Sequence, residues 1–285
     1  MKPFPVSPSA EKAPDELFDG GHLWILEKLD GDPLRFQLLE SGVVRFGDRD
    51  RVFEPDDVPL SYQHAVRHVR ERLDRSALRA GAEDVESIAF FGMATHKRRI
   101  EYDWNRIPSF VGCDVWSAEK ERFLQPDAVE KAFPGVGLTP INAFEKEVRA
   151  VDFDPRRYEI PDSAWYDGPA AGVVIRNKTG SRAELDRPLA VAEPEPLRGT
   201  EGELIEALVT DERIRGAVAD LKASNTSVTE GSLFERTLEA IVRVEHDRLF
   251  HPRSDVDVRS FRSEVARATG RWLAENEREL ARNGR

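Results

Sequence analysis

The stretch WILEKLDGDPLRF, residues 24–36, decides how this chain is read. Trp24, Ile25, Leu26 and Leu29 have the composition of a buried strand, yet Lys28 stands among them. An unpaired ammonium is costly to bury, so such a group sheds its proton or keeps its head in water. A lysine here is therefore either snorkelling outward or poised as a nucleophile. Asp30-Gly31-Asp32-Pro33 follows as a turn signal.

Working outward, HLWILEKL, PLRFQLL, GVVRFG and RVF are short apolar runs separated by turn residues. Residues 22–53 therefore read as a β-meander. Leu60–Arg79 has the spacing of one helix, with Val66, Val69, Leu73 and Leu78 on its apolar side. Ser87–Met93, Ser109–Trp116 and Ala170–Arg176 read as strands, with a polar helix-and-loop region at 126–165 between the last two. The proline cluster AVAEPEPLRGT, residues 190–200, reads as a linker. Beyond it the period is helical throughout: Glu203–Val209, Asp211–Lys222, Leu233–Leu249 and Val256–Arg282. Ser232 and Glu235 suggest a capping box, and Gly270 a break in the last helix. Residues 1–20, with four prolines and no apolar core, read as a flexible leader.

Composition narrows the function. The net charge of −11 excludes a protein that coats nucleic acid by bulk positive charge, though not a local basic groove. One cysteine, Cys113, allows no internal disulfide and no cysteine-based zinc site, which suits a reducing cytoplasm. No apolar run approaches the roughly 18 residues of a membrane span. His64, His68 and Glu71 have a spacing that can hold zinc, but on an ordinary charged helix. THKRR at 95–99, beside Tyr102 and Trp104, interleaves cations with aromatics as a nucleic-acid strand requires, or is simply a solvated loop.

The Lys-x-Asp-Gly at 28–31 sits where a strand ends. A neutral amine there is able to attack an α-phosphate and form a phosphoramidate. With its flanking segments it resembles the nucleotidyl-lysine motif of the ATP-dependent RNA ligases, in the RNA ligase 2 group of covalent lysyl-nucleotidyltransferases. The resemblance runs from about residue 20 to 190. WILEKLDG resembles the lysine motif, with Lys28 as nucleophile, Glu27 beside the adenine, and Asp30 and Gly31 completing the nucleotide site. VVRFGDRD resembles the next segment, with Arg49 at a nucleotide or RNA phosphate. IAFFGMATHKRRIEYDW, FVGCDVW, AGVVIRNKTG and SRAEL follow in the family's order.

The resemblance implies an α+β fold: an ATP-grasp-like nucleotidyltransferase domain of antiparallel sheets with flanking helices at 21–195. A small all-helical C-terminal domain at 196–285 follows. It implies ATP and Mg2+ or Mn2+ as cofactors, and RNA bearing 5′-phosphate and 3′-hydroxyl ends as partner. Four departures accompany it. Met93 follows Gly92 where the family has glutamate, and Ala171 precedes Gly172 where the family has a metal-holding glutamate. Glu184 stands where a lysine meets the α-phosphate, and Cys113 precedes Asp114 in place of a base-stacking aromatic. Glu101, Asp103 and Asp167 are the carboxylates left to hold metal. Arg176, Lys178 and Arg182 are the cations left for phosphate, and Phe110 is the ring left to stack. Two readings stay open: an active RNA ligase, or a relative that binds nucleotide or RNA ends without catalysis.

Overall fold

The computed structural model describes residues 1–189 and 193–282, so residues 190–192 of the expected linker lie outside the described residues. The chain divides into two compact units, Met1–Thr95 with Ile100–Val191, and His96–Arg99 with Ala192–Arg285.

The first unit is α+β, with β1 (His22–Glu27), β2 (Asp32–Leu38), β3 (Val44–Gly47), β4 (Ile88–Ala94), β5 (Phe110–Ser117), β6 (Arg122–Phe123), β7 (Ala143–Arg149), β8 (Gly172–Asn177) and β9 (Arg182–Asp186). They form two antiparallel sheets, one in the order β7-β1-β8-β9 and the other β3-β2-β4-β5-β6. The expected meander over 22–53 is therefore corrected. β2 and β3 form a hairpin, but β1 pairs with β7 and β8, and Lys28–Gly31 carries the chain from one sheet to the other.

The reason lies in the polar groups of that link. The Asp30 amide donates to Tyr102 Oη at 2.8 Å, and its carboxylate accepts from the Ile100 amide at 3.0 Å. Asp30 is buried, so these bonds replace the water a hairpin tip would have met. Gly31 passes so close to β4 that a Cβ would lie 2.5 Å from the Ala94 carbonyl oxygen. Any larger residue would strike the β4 backbone where β2 begins to pair with it.

The two-residue period sorts each sheet's faces. Leu23, Ile25, Val173, Ile175 and Ala183 pack outward against Leu17 and Ala150. Trp24, Leu26 and Val174 face the other way and pack with Met93, Val111 and Cys113 of the five-stranded sheet, filling the inter-sheet cleft. The far face of the five-stranded sheet, with Leu34, Phe36, Phe46, Phe90 and Phe110, is covered by Val66, Val69, Val129 and Phe133. These belong to α1 (Leu60–Arg72) and α3 (Pro126–Gly135). α2 (Arg75–Gly81) intervenes in chain order. The single helix expected over 60–79 is thus two. Leu73 is extended, and the Asp74 carboxylate caps the second helix by accepting from the Ser76 and Ala77 amides.

The first twenty residues, expected as a flexible leader, are tied down along the first unit. The Met1 and Lys2 carbonyls accept from the buried Arg35 at 3.3 and 2.5 Å, and the Glu184 amide donates to Pro8 O at 2.8 Å. Ser9 bridges Glu184 in parallel on the free edge of β9, and Leu17 is wholly buried. The prolines that suggested disorder suit an extended strap that needs few amide donors.

The second unit is helical: α4 (Glu201–Leu208), α5 (Asp211–Ala223), α6 (Glu230–Val244), α7 (His246–Leu249) and α8 (Val258–Arg282). The capping box of α6 is Thr229 with Ser232, not Ser232 with Glu235, because the helix begins three residues before the expected start. α8 continues through Gly270 without a break. His96–Arg99 joins this unit through Lys97, whose amide donates to Arg243 O at 2.8 Å and whose carbonyl accepts from the Asp247 amide. His96 stacks on His246 with ring centroids 3.6 Å apart.

Candidate nucleotide site around Lys28

Lys28 continues β1, its amide donating to Gly172 O of β8 at 2.9 Å. Alternation puts its side chain on the cleft side with Trp24 and Leu26. Glu184 and Asp186 lie on the same side of β9, opposite Val174 and Gly172. Lys28 Nζ donates to both carboxylates, to Glu184 and, at 2.5 Å, to Asp186 Oδ1. Burial is the largest single influence on this ammonium and works to lower its pKa. The bonds to Asp186 and Glu184 together outweigh it and hold the pKa above the usual lysine value. The local balance is one cation against two anions. That favours the charged amine, opposite to what a nucleophile requires.

Glu27 is 1% exposed. Its carboxylate accepts from Ser163 Oγ at 2.5 Å, Asn142 Nδ2 at 3.1 Å and the Ala164 amide at 3.2 Å. Burial pushes its pKa up, against the pull of those three donors. All its acceptor directions in reach are spent on the 142 and 163–164 segments, so here it fastens two loops to β1. Ala171 belongs to the apolar cluster with Leu26, Leu29 and Val111, and Met93 packs against it. The places where the resemblance expects two carboxylates are thus lined by hydrocarbon.

The other expected site residues are scattered. Phe110 is wholly buried on the far side of the five-stranded sheet, 5.7 Å from the Phe36 ring centroid and 6.4 Å from that of Phe133, so neither face is open to a base. Arg49 is exposed, with its guanidinium 5.5 Å from the centre of the Phe4 ring. Lys178 is in the turn after β8 and pairs with Glu147 at 2.8 Å. Asp167 is 98% exposed and paired with Arg106 at 2.8 Å, and Glu101 is an exposed residue between buried Ile100 and Tyr102.

Arg176 is 2% exposed. It meets Asp114 at 3.2 Å, and Asp114 also holds Arg182, its cross-strand neighbour, at 2.6 Å. Two buried guanidiniums thus share one carboxylate, and Arg176 Nε and Arg182 Nη2 have no hydrogen-bond partner among the described residues. Beside them the Cys113 thiol is pushed up to about 12 by burial, which makes it inert.

Sequence reasoning missed Asp186, and took Arg182 as a spare cation for phosphate rather than as a partner of Asp114. The signal was present: Arg182, Glu184 and Asp186 alternate at two-residue spacing, which puts them on one face of any strand. Glu184 and Asp186 are hard oxygen donors of the type that suits Mg2+ or Mn2+, but any metal there would have to displace the Lys28 ammonium.

No protein-family model and no curated protein matches the chain. Solved structures of the Naegleria gruberi RNA ligase do. An arginine-to-alanine variant with ATP and Mn aligns with a TM-score of 0.50 at 12% identity, covering 65% of this chain and 56% of that one. The ligase with pyrophosphate gives 0.48 at 12% identity, covering 65% and 56%. The present chain therefore spans little more than half of that ligase. The likeness establishes the fold of an RNA-ligase-like nucleotidyltransferase and no more.

Proposed function

We propose that this chain is an RNA-binding protein on the RNA ligase fold that has given up adenylate transfer. The observation that carries the proposal is the environment of Lys28. An adenylating lysine must lose its proton and meet the α-phosphate of ATP. Here Glu184 and Asp186 hold the proton on and place negative charge where that phosphate would lie. One carboxylate about 4 Å from a phosphate charge opposes it by about 4 kcal/mol at an effective dielectric near 20. Met93 and Ala171 supply no carboxylate for a compensating metal.

The test is incubation of the pure chain with α-labelled ATP and Mg2+ or Mn2+, at low and high salt, followed by a denaturing gel. The expected result is no labelled protein. A band that disappears in Lys28→Ala would overturn the proposal and establish lysyl-adenylate chemistry.

One observation favours a second reading. Both carboxylates that hold Lys28 are oxygen ligands of the kind Mg2+ and Mn2+ prefer. A divalent cation that took them would free the amine and neutralise the two carboxylates. Lys28 would then attack ATP and expel pyrophosphate, AMP would pass to an RNA 5′-phosphate, and a 3′-hydroxyl would displace it to seal the strand. In the gel assay this reading gives a Mn2+-dependent band.

A further inference from the structure

The face of the five-stranded sheet that carries Arg35 and Phe91 is met, at one end of the cleft, by the N-terminal strap and by Arg176 and Arg182 of the four-stranded sheet. Beneath it lies a chain of aromatic rings. Phe4 of the strap meets Phe91 edge-on with centroids 5.5 Å apart. Phe91 meets Phe123 at 5.5 Å, and Phe123 meets Trp116 at 5.0 Å. Cations alternate with the rings. Arg49 sits 5.5 Å from the Phe4 ring centre, Arg182 4.7 Å from that of Phe123, and Lys2 3.7 Å from that of Trp116. Arg35 lies among them, 2% exposed.

The chemistry of this face is not used up by the fold. Arg35 Nη1 is satisfied by two backbone oxygens of the strap, Met1 O and Lys2 O. Arg182 Nη2 is buried with no partner among the described residues, and with Arg176 it leaves two positive charges against the single carboxylate of Asp114. Unpaired guanidinium N–H groups beside aromatic rings suit a phosphate oxygen next to a base. Every base offers a π-face, so such a platform takes a single strand without reading its sequence.

Over these rings the strap is held by its two carbonyl bonds to Arg35 and by the Lys2 and Phe4 ring contacts, with little backbone pairing of its own. Lys2, Pro3 and Val6 face solvent, and the Phe4 amide reaches Arg49 O only at 3.4 Å. A separate anchorage begins at Pro8, with the Glu184 amide at 2.8 Å, and continues to buried Leu17. Residues 1–7 are therefore held by groups that a nucleotide would also engage, and residues 8–17 by others, so a ligand that took over the first set would leave the second in place.

We propose that this face is a platform for single-stranded RNA, with bases on Phe91, Trp116 and Phe123 and phosphates at Arg35, Arg49 and Arg182. In the free protein Lys2 and Phe4 occupy it. The strap supplies carbonyl oxygens to Arg35 and a ring to Phe91, the two kinds of group that a nucleotide would bring. This rests on the reading of the chain as an RNA-binding protein, and it is independent of Lys28.

The test is binding of a fluorescent ten-nucleotide single-stranded RNA to the full chain, measured by anisotropy over a range of salt, with thermal unfolding as the folding control. Lys2→Gln with Phe4→Ala is expected to bind about ten-fold more tightly than the parent. Trp116→Ala or Phe123→Ala in that background is expected to lose the gain. Arg49→Ala is expected to lower the slope of log K against log salt by about one. Unchanged affinity on loosening the strap, with the parent binding RNA, overturns the platform but leaves the proposed function standing. Weaker binding overturns it too, because the strap would then be a contact rather than a cover. If neither form binds at low salt, the RNA-binding reading itself fails. A matching single-stranded DNA that binds equally well makes the platform one for single strands in general and overturns the restriction to RNA.

Discussion

Two clusters of charge stand within five residues of one another on β9, and they are mirror images. At Arg182 one anion, Asp114, holds two cations. At Glu184 and Asp186 two anions hold one cation, Lys28. Their surroundings differ sharply. Arg176, Asp114 and Arg182 are 2%, 2% and 8% exposed, while Lys28, Glu184 and Asp186 are 23%, 30% and 70% exposed. The buried cluster bridges the two sheets and cannot lose its central member without stranding charge. The open one is screened by water, contributes little to stability, and is free to be altered by ligand, pH or mutation. Depth, not the count of ion pairs, separates a fastener from a site.

Asp114→Ala breaks that comparison most severely. It leaves two buried guanidiniums facing each other and is expected to cost about 3–5 kcal/mol, read as a lower midpoint in urea denaturation. A loss under about 1 kcal/mol would mean that water reaches the arginines.

Glu27 sharpens the contrast, being a buried carboxylate held by neutral donors. Glu27→Ala is expected to cost about 3 kcal/mol by stranding the donors of Ser163, Asn142 and Ala164. Glu27→Gln is expected to cost less than about 1 kcal/mol, because Ser163 Oγ is able to turn and accept. The pKa of Glu27 is raised in the folded state. Its contribution is therefore full below the unfolded carboxylate value and declines as pH rises through the folded one. The parent should lose stability relative to Glu27→Gln over that rise, and parallel pH profiles of the two proteins would refute the assignment.

Lys28→Met has the smallest expected effect, about 1 kcal/mol at pH 7, since its partners are well exposed. The raised pKa of Lys28 gives the sign. The stabilisation is complete below the unfolded lysine value, near 10.4, and disappears as pH climbs through the folded value. The difference between parent and variant is expected to be flat through neutral pH and to close only in strong alkali. A difference that closes near pH 8 would indicate a lysine of depressed pKa, and with it a working nucleophile.

How far the sequence is legible follows the same division. β1, β2, β4, β5 and β8 are apolar enough to be read directly. β7, with the sequence AFEKEVR, is a half-exposed edge strand whose charges hide it, and it falls inside the region expected to be helix and loop. β9 is short and mostly polar, so its alternation carries more information than its composition. Periodicity identifies a strand but not its partner, which is why the 22–53 segment reads as one sheet and folds into two. Lys28 could be picked out because an ammonium among apolar residues is unusual. Glu184 could be picked out as a charge reversal against a resembled motif. That both would end on one nitrogen, with Asp186, required the register of β8 against β9.

The passage of the chain from one sheet to the other at Lys28–Gly31 also orders the birth of the molecule. β2 to β6 are contiguous in sequence, so the five-stranded sheet is complete once residue 123 has left the ribosome. β1 emerges first yet finds its neighbours only in β7 and β8, whose residues begin at 143 and 172. At roughly 5–20 residues per second, Leu23–Leu26 wait on the order of ten seconds without a sheet to join. That interval is when this chain is most exposed to wrong pairing, and it makes the nascent Leu-Trp-Ile-Leu segment a natural target for chaperones.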